Sequence, residues 1–391
     1  MDRRFVYLDN NATTRMADEV IAIMSENSSL YGNASSMHSF GRNSEAGIEW
    51  ARGEVAALID GAPGDVYFTS GASESNNTVF SLFRDRIDDR IDGRTRIVTT
   101  AIEHPSIIET VKYLRGRGYR IDLCPVDSMG RVDLKAMEKL MGPDVALVSV
   151  MTGNNESGVI QPVKEVSRMA HEAGAYMHTD ATQAIGKIPV SVKDLDVDYL
   201  SLSGHKFYGP KGIGVLYASS HAPIAPFVHG GHQEKGVRAG TYSNQAIYGI
   251  GKAAELAKAN LQEEHDRLWK LREMLRKGIE ERIPHVIVNG SNDPEYCLPG
   301  TLDVSFPSAE GESILLYLDM EGIEVSTGSA CASGSLEPSY VLLAAGLDVE
   351  LAHGSVRFSF GRYNTEEDVE YVLEKLPPII ERIRNMSTRK V

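Results

Sequence analysis

The chain has 391 residues, 42% of them hydrophobic and 24% charged, with a formal net charge of −14 and a pI near 5.3. That length supports a large core and favours two domains over one, and so acidic a surface repels phosphate backbones, which argues against nucleic acid as a partner. No apolar run of signal-peptide or membrane-spanning length occurs, and Cys124, Cys297 and Cys331 are far apart with no C-x-x-C, so the expectation is a reduced, cytoplasmic protein without a disulfide framework or structural zinc.

Short apolar, β-branched runs predict strands in chain order: VYFTS (66–70), RIVTTA (96–101), RIDLCPV (120–126), VALVSVM (145–151), AYMHTD (175–180), YLSLS (199–203) and GIGVLYA (212–218). Helical spacing lies between most of them, at 104–115, 132–141 and 162–173. This alternation predicts an α/β domain with a mostly parallel, seven-stranded sheet. The stretch between the last two runs is too short for a crossover helix, so they are expected to pair antiparallel. From Asn244 to Arg282 one long charged, amphipathic segment predicts a helix bridging two domains. Beyond it, HVIVNG, TLDVSF, GIEVST and SVRFSF interleave with helices near 311–321, 338–346 and 365–386, a smaller α+β domain. The expected division is residues 13–255 against 1–12 with 256–391.

Ligands in open α/β sheets bind beyond the carboxyl ends of the strands, so the polar groups that follow each run carry the functional reading. TSGASESNN offers backbone N–H groups at Gly71, Ala72 and Ser73, at a helix start that suits a phosphate, although Ser73 and Asn76 also read as a simple helix cap. His104 follows the second run. Asn154 and Asn155 follow the fourth, and Asp180 and Gln183 the fifth. Lys206 follows the sixth in SGHKFYGPKG, where partial burial favours the neutral amine that a Schiff base needs; a solvent-facing lysine is the plainer alternative. Asp180 reads either as a helix cap or core ion-pair partner, or as the acid for a pyridine nitrogen. Together, a phosphate cradle, a lysine for an aldehyde, an acid for a ring nitrogen and a histidine able to stack point to pyridoxal 5′-phosphate.

The motifs YLDNNATT, FTSGASESNN, EHPS, NNESGVIQP, HTDATQAIGK, SLSGHKFYGPKGIG, VRAGT and STGSACASGSLEPSYVL resemble those of cysteine desulfurases of the NifS/IscS type, within the class V aminotransferases of pyridoxal-phosphate fold type I. The resemblance spans nearly the whole chain. It implies that Lys206 links covalently to the cofactor, that His104 stacks on the ring and shuttles protons, that Asp180 pairs with the ring nitrogen, and that Gln183 bonds the ring hydroxyl. Ala72, Ser73, Ser203 and His205 would hold the phosphate, with Thr241 added from the other subunit of a homodimer. Asn155 and Arg357 would hold the carboxylate of L-cysteine. Tyr242-Ser243 and Ser157 depart from the usual family residues. The same fold also admits a selenocysteine lyase or an aminotransferase.

Cys331, in EVSTGSACASGSL, has neither bulky neighbours for a core nor partner ligands for a metal site. A small-residue loop of this kind suits a nucleophilic thiol that must be exposed and able to move. The resemblance implies that Cys331 accepts sulfur as a persulfide and passes it to acceptor proteins, an iron–sulfur scaffold protein among them, where it would briefly ligate a cluster. It also places the chain in the family's first group, which has the long cysteine loop. Cys124 is expected to be buried and Cys297 structural. His229 and His232, in VHGGHQEKG, are expected to border the active-site cleft.

Overall fold

All seven runs are strands of one sheet in the computed structural model, which describes residues 4–89, 93–327 and 337–387. After a short strand β1 (Val6–Tyr7) they are β2 (Val66–Thr69), β3 (Arg96–Thr100), β4 (Arg120–Cys124), β5 (Val145–Ser149), β6 (Tyr176–Asp180), β7 (Tyr199–Ser203) and β8 (Gly214–Ala218), in spatial order β2-β8-β7-β6-β5-β3-β4. β3 to β7 pair in parallel, and β8 runs antiparallel to both β7 and β2. Only a single 3-10 turn, Gly204–Lys206, separates β7 from β8, so the chain has no helix to carry it back and must reverse. β2, β5, β7 and β8 are buried along their whole length, as in a sheet covered on both faces.

The helices of this part are α1 (Asp18–Glu26), α2 (Ser39–Leu58), α3 (Ala72–Asp89), α4 (Pro105–Arg115), α5 (Leu134–Leu140), α6 (Val163–Glu172) and α7 (Val192–Leu195). α2 buries Gly41, Ser44, Ile48, Ala51, Arg52, Val55 and Ala56. That face is helically spaced but small and polar, so its period is faint in the sequence. It packs on α8 (Asn244–Arg282), where a Cβ added to Gly251 would lie 2.6 Å from the Ala51 Cα. Close helix approach requires glycine there.

α8 has 39 residues, about 58 Å of helix, and serves two cores. Its residues up to Ala257 pack with Ile48, Val55 and Leu202. From Leu268 to Ile279 they pack with Leu8, Val304 and Phe358. The second core is covered by α9 (Gly311–Met320) and α12 (Glu366–Met386), and its strands are β9 (Ile287–Asn289), β10 (Thr301–Ser305), β11 (Ile323–Glu324) and β12 (Ser355–Ser359). The order β12-β10-β9 is antiparallel, while β1 pairs in parallel with β11. Short helices α10 (Tyr340–Ala344) and α11 (Val349–His353) precede β12. α12 opens with a Thr365–Asp368 capping box and continues through Pro377 and Pro378; its stripe from Val369 to Ile383 buries enough apolar surface to offset the missing donors. No helix among the described residues is long and apolar enough to cross a membrane.

One buried ion pair ties α2 to the loop before α8. Arg52 meets Glu234 through two 2.8 Å bonds and also donates to the Val66 carbonyl, and Glu234 accepts the Phe68 N–H. Removing one partner strands a buried charge. Arg52→Ala and Glu234→Ala are each expected to cost about 3–5 kcal/mol, with the double variant less than additive. Urea unfolding checks this, and independent additive losses would show that the pair does not act as a unit.

Candidate functional site

The carboxyl ends of β2, β3, β5, β6 and β7 share one rim of the sheet, and the reversal of β8 brings Lys211 and Gly212 to the same rim. A cavity of about 480 Å3 opens there, where such sheets bind ligands. Nine of the expected residues line it: Ala72, Ser73, His104, Asn155, Asp180, Gln183, Ser203, His205 and Lys206.

Asp180 ends β6 and is 4% exposed. Its Oδ2 accepts from Asn76 Nδ2 at 2.8 Å and its Oδ1 from the Thr182 N–H at 3.0 Å. Asn76 also donates to Ser106 Oγ, which lies 2.9 Å from His104 Nδ1. His104 caps α4, its Nδ1 accepting the Ser106 N–H at 3.1 Å. Because Nδ1 accepts a backbone proton, the neutral ring carries its own on Nε2. Burial holds the His104 imidazole below its ordinary range, with Lys206 repulsion adding to this against the pull of Asp180.

Lys206 closes the 3-10 turn after β7 and donates to the carbonyls of Asn11, at 2.5 Å, and Ala12, at 2.8 Å. The adjacent His205 meets Thr13 Oγ1 at 3.1 Å. Burial, then the charges of Lys206 and Lys211, push His205 down to about 4, so it is neutral at pH 7. At the other end of the cavity α3 starts at Ala72, and its first-turn N–H groups lack intrahelical acceptors. Glu74, the one carboxylate in that turn, is paired with Arg238 at 3.0 Å and accepts the Ser70 N–H. The helix start is thereby left electropositive.

Three expected residues are not in this group. Arg357 lies on β12 at 1% exposure, outside the cavity lining. Its Nη1 donates to the Asn155 carbonyl and its Nη2 to Asp9 Oδ1, both at 2.8 Å, while its buried Nε has no partner among the described residues. Thr241 is exposed and lines a separate cavity of about 100 Å3 with Gly212 and Arg238. Cys331 lies outside the described residues. The described chain on either side of it is fixed beside the site. Ser326 pairs by backbone bonds with Arg357, Ser339 Oγ donates to Glu156 Oε2, and Tyr340 donates to the Glu103 carbonyl at 2.5 Å.

Cys124 and Cys297 are both buried, and burial pushes their thiols up, Cys124 to about 12, which suits inert packing. His229 and His232 do not border the cavity as expected: both are exposed in the loop before α8 and outside its lining.

Sequence reasoning missed several residues. Asn11 bonds Asn155, Thr301, Gln183 and Lys187. Glu103 is buried with Oε2 unpartnered among the described residues, and burial pushes its carboxyl to about 8. Glu156 is pushed to about 8 in the same way. The place of Asn11 within the YLDNNATT motif was the available signal. Glu103 and Glu156 read from sequence as ordinary charged neighbours of His104 and Asn155.

Residues 6–372 match the family described as Aminotransferase class-V. The chain is 45% identical over 386 residues to "Cysteine desulfurase IscS" of Clostridium botulinum (strain Kyoto / Type A2), covering 98% of this chain and 96% of that protein. It is 44% identical to "Cysteine desulfurase NifS" of Azotobacter vinelandii, at 98% and 94% coverage. Among solved structures, one titled "NIFS-LIKE PROTEIN" superposes with a TM-score of 0.90 at 40% identity, covering 97% of this chain and all of that one. With the family match over residues 6–372 and relatives alike over nearly its full length, the chain belongs to the class-V aminotransferase family.

Proposed function

We propose that this protein is a pyridoxal-phosphate-dependent cysteine desulfurase: L-cysteine and the Cys331 thiol become L-alanine and a Cys331 persulfide. The observation that carries this is the joining of Lys206, Asp180 and His104 in one cavity, in a chain whose relatives are named cysteine desulfurases. The reaction balances without an outside oxidant, since the C–S bond of cysteine is replaced by C–H as the thiol S–H is replaced by S–S.

The residues fit the cofactor. The cavity volume lies within the range of about 300–1,000 Å3 usual for such ligands. Asn155 Oδ1 and Thr182 Oγ1, both on its lining residues, are buried and unpartnered among the described residues, as groups awaiting a ligand are. Lys206 would take the cofactor aldehyde, Asp180 its ring nitrogen and Gln183 its ring oxygen. The α3 start with Ser203 and His205 would take its phosphate. When bound, the cofactor supplies an aldehyde for an amine and a ring that withdraws electrons from the substrate Cα.

The chain's own groups then divide the work. Asp180, buried and fixed by Asn76 and Thr182, would hold the cofactor's ring nitrogen through a carboxyl oxygen. Lys206 Nζ moves the Cα proton. His104, with its proton on Nε2, remains neutral and able to stack. Asn155, with Arg357 behind it, orients the substrate carboxylate. The anchoring of Ser326 and Ser339 beside Arg357 and Glu156 supports attack by Cys331 within this cavity. The exposure of Thr241 away from its own chain's cavity supports its service across a subunit boundary in a homodimer. Delivery of the persulfide to an iron–sulfur scaffold, with Cys331 briefly ligating iron as cargo, and a cytoplasmic location follow the same reading. The two cores along α8 support the division into residues 13–255 and 1–12 with 256–391.

The parent protein is expected to absorb at about 400–420 nm with cofactor bound, and Lys206→Ala to lose that band; a variant that retained it would sink the covalent role of Lys206. Cys331→Ala is expected to keep the parent's band while sulfur transfer from cysteine to thiol acceptors falls by at least about 100-fold. Undiminished transfer would reassign the nucleophile. Release of selenium from selenocysteine by parent and Cys331→Ala alike, with cysteine inert even in the parent, would favour a lyase.

A further inference from the structure

Lys187 is 7% exposed, belongs to no ion pair among the described residues, and has no part in the chemistry above. Its Nζ donates to Gln183 Oε1 and to Asn11 Oδ1, both at 2.8 Å. We propose that Lys187 is a positioning residue for the cofactor ring, fixing the sense of the Gln183 amide so that Gln183 presents an N–H rather than an oxygen to the cavity.

The assignment follows from donor and acceptor chemistry. In its charged form Lys187 donates and never accepts, so the amide end that meets it is the oxygen. Gln183 Nε2 donates to the Asn11 carbonyl at 2.9 Å, which also only accepts. A half-turn of the amide would set NH2 against the ammonium and oxygen against the carbonyl, turning both bonds into repulsive contacts and leaving Lys187 only Asn11 Oδ1 and the Asn11 carbonyl only Lys206. Asn11 cannot relieve this by turning, because its Nδ2 donates to the Asn155 carbonyl at 3.2 Å and to Thr301 Oγ1 at 2.9 Å. The Gln183 amide nitrogen has two hydrogens. One is used on Asn11, and the second is left for the cavity that Gln183 lines. An N–H there meets a deprotonated ring oxygen favourably and rejects a hydroxyl hydrogen. The charges acting on Lys187 are Lys206 and Arg357; burial, with their repulsion, pushes its ammonium down to about 7. Retaining a lysine in such a place is costly, which sets it apart from a surface lysine that has merely folded inward.

The inference rests on pyridoxal 5′-phosphate occupying the cavity, so the test compares that cofactor with its 3-deoxy analogue, which lacks the ring oxygen. Dissociation constants for both are measured on the apo forms of the full-length parent and of Lys187→Met. The parent is expected to prefer pyridoxal 5′-phosphate by about tenfold, the worth of one charge-assisted hydrogen bond. Lys187→Met is expected to lose that preference while binding the analogue within about threefold of the parent. Retention of the preference overturns the inference, and so does an equal loss for both ligands, which a merely structural lysine would give. Should Lys187→Met fail to fold by thermal melting, Gln183→Glu decides: its carboxylate pairs with Lys187 but offers the cavity no N–H, and a preserved preference there overturns the inference. A parent that binds neither compound instead sinks the cofactor reading on which this one stands.

Discussion

The carbonyls of Asn11 and Ala12 accept hydrogen bonds from Lys206, and the stretch that supplies them is the physical joint of the molecule. It leaves β1, which belongs to the second core, and crosses to the cavity at the rim of the first. On the way the Asn10 N–H bonds the Ser359 carbonyl, the Asn11 N–H bonds Ser359 Oγ, and Asp9 pairs with Arg357. These backbone groups are buried and must be satisfied. The two cores and the Lys206 amine are therefore positioned by the same few residues, and neither core can shift without disturbing Lys206.

Charge in and around the cavity is arranged by desolvation as much as by pairing. Lys187, Lys206 and Arg357 stand on one side, and Asp180 receives its bonds from Asn76 and Thr182 rather than from a cation. His104 and His205 are kept neutral by burial and by Lys206. Glu103 and Glu156 are pushed up by burial, to about 8, and so stay protonated at pH 7. A dianionic phosphate or a carboxylate would thus meet a region whose fixed anions are few and held in place, which favours the binding of anions.

Most of the cavity lining was legible because it sits where strand runs end. Asp180, His104 and Lys206 each directly follow an apolar run, and the topology of parallel sheets sends all such positions to one rim. The antiparallel turn of β8 was legible for a related reason, since connection length alone forbids a crossover. Lys187 was not. It lies in HTDATQAIGK as one more lysine after a glycine turn, and its partner Asn11 is 176 residues away. Helix α2 escaped notice because small and polar residues form much of its buried face, and α1 because it has nine residues and buries only Val20.

The sequence by itself determined the alternation of strands and helices, the long bridging helix, the site-bearing strand ends and the family, because periodicity and short motifs are local properties of the chain. The tertiary structure alone decided that Arg357 is buried against Asp9, that Cys297 is sealed away, that His229 and His232 face outward, and that Asn11 and Lys187 order the Gln183 amide. Each of these depends on which distant groups exclude water from a side chain and which supply its hydrogen bonds, and no local pattern encodes that.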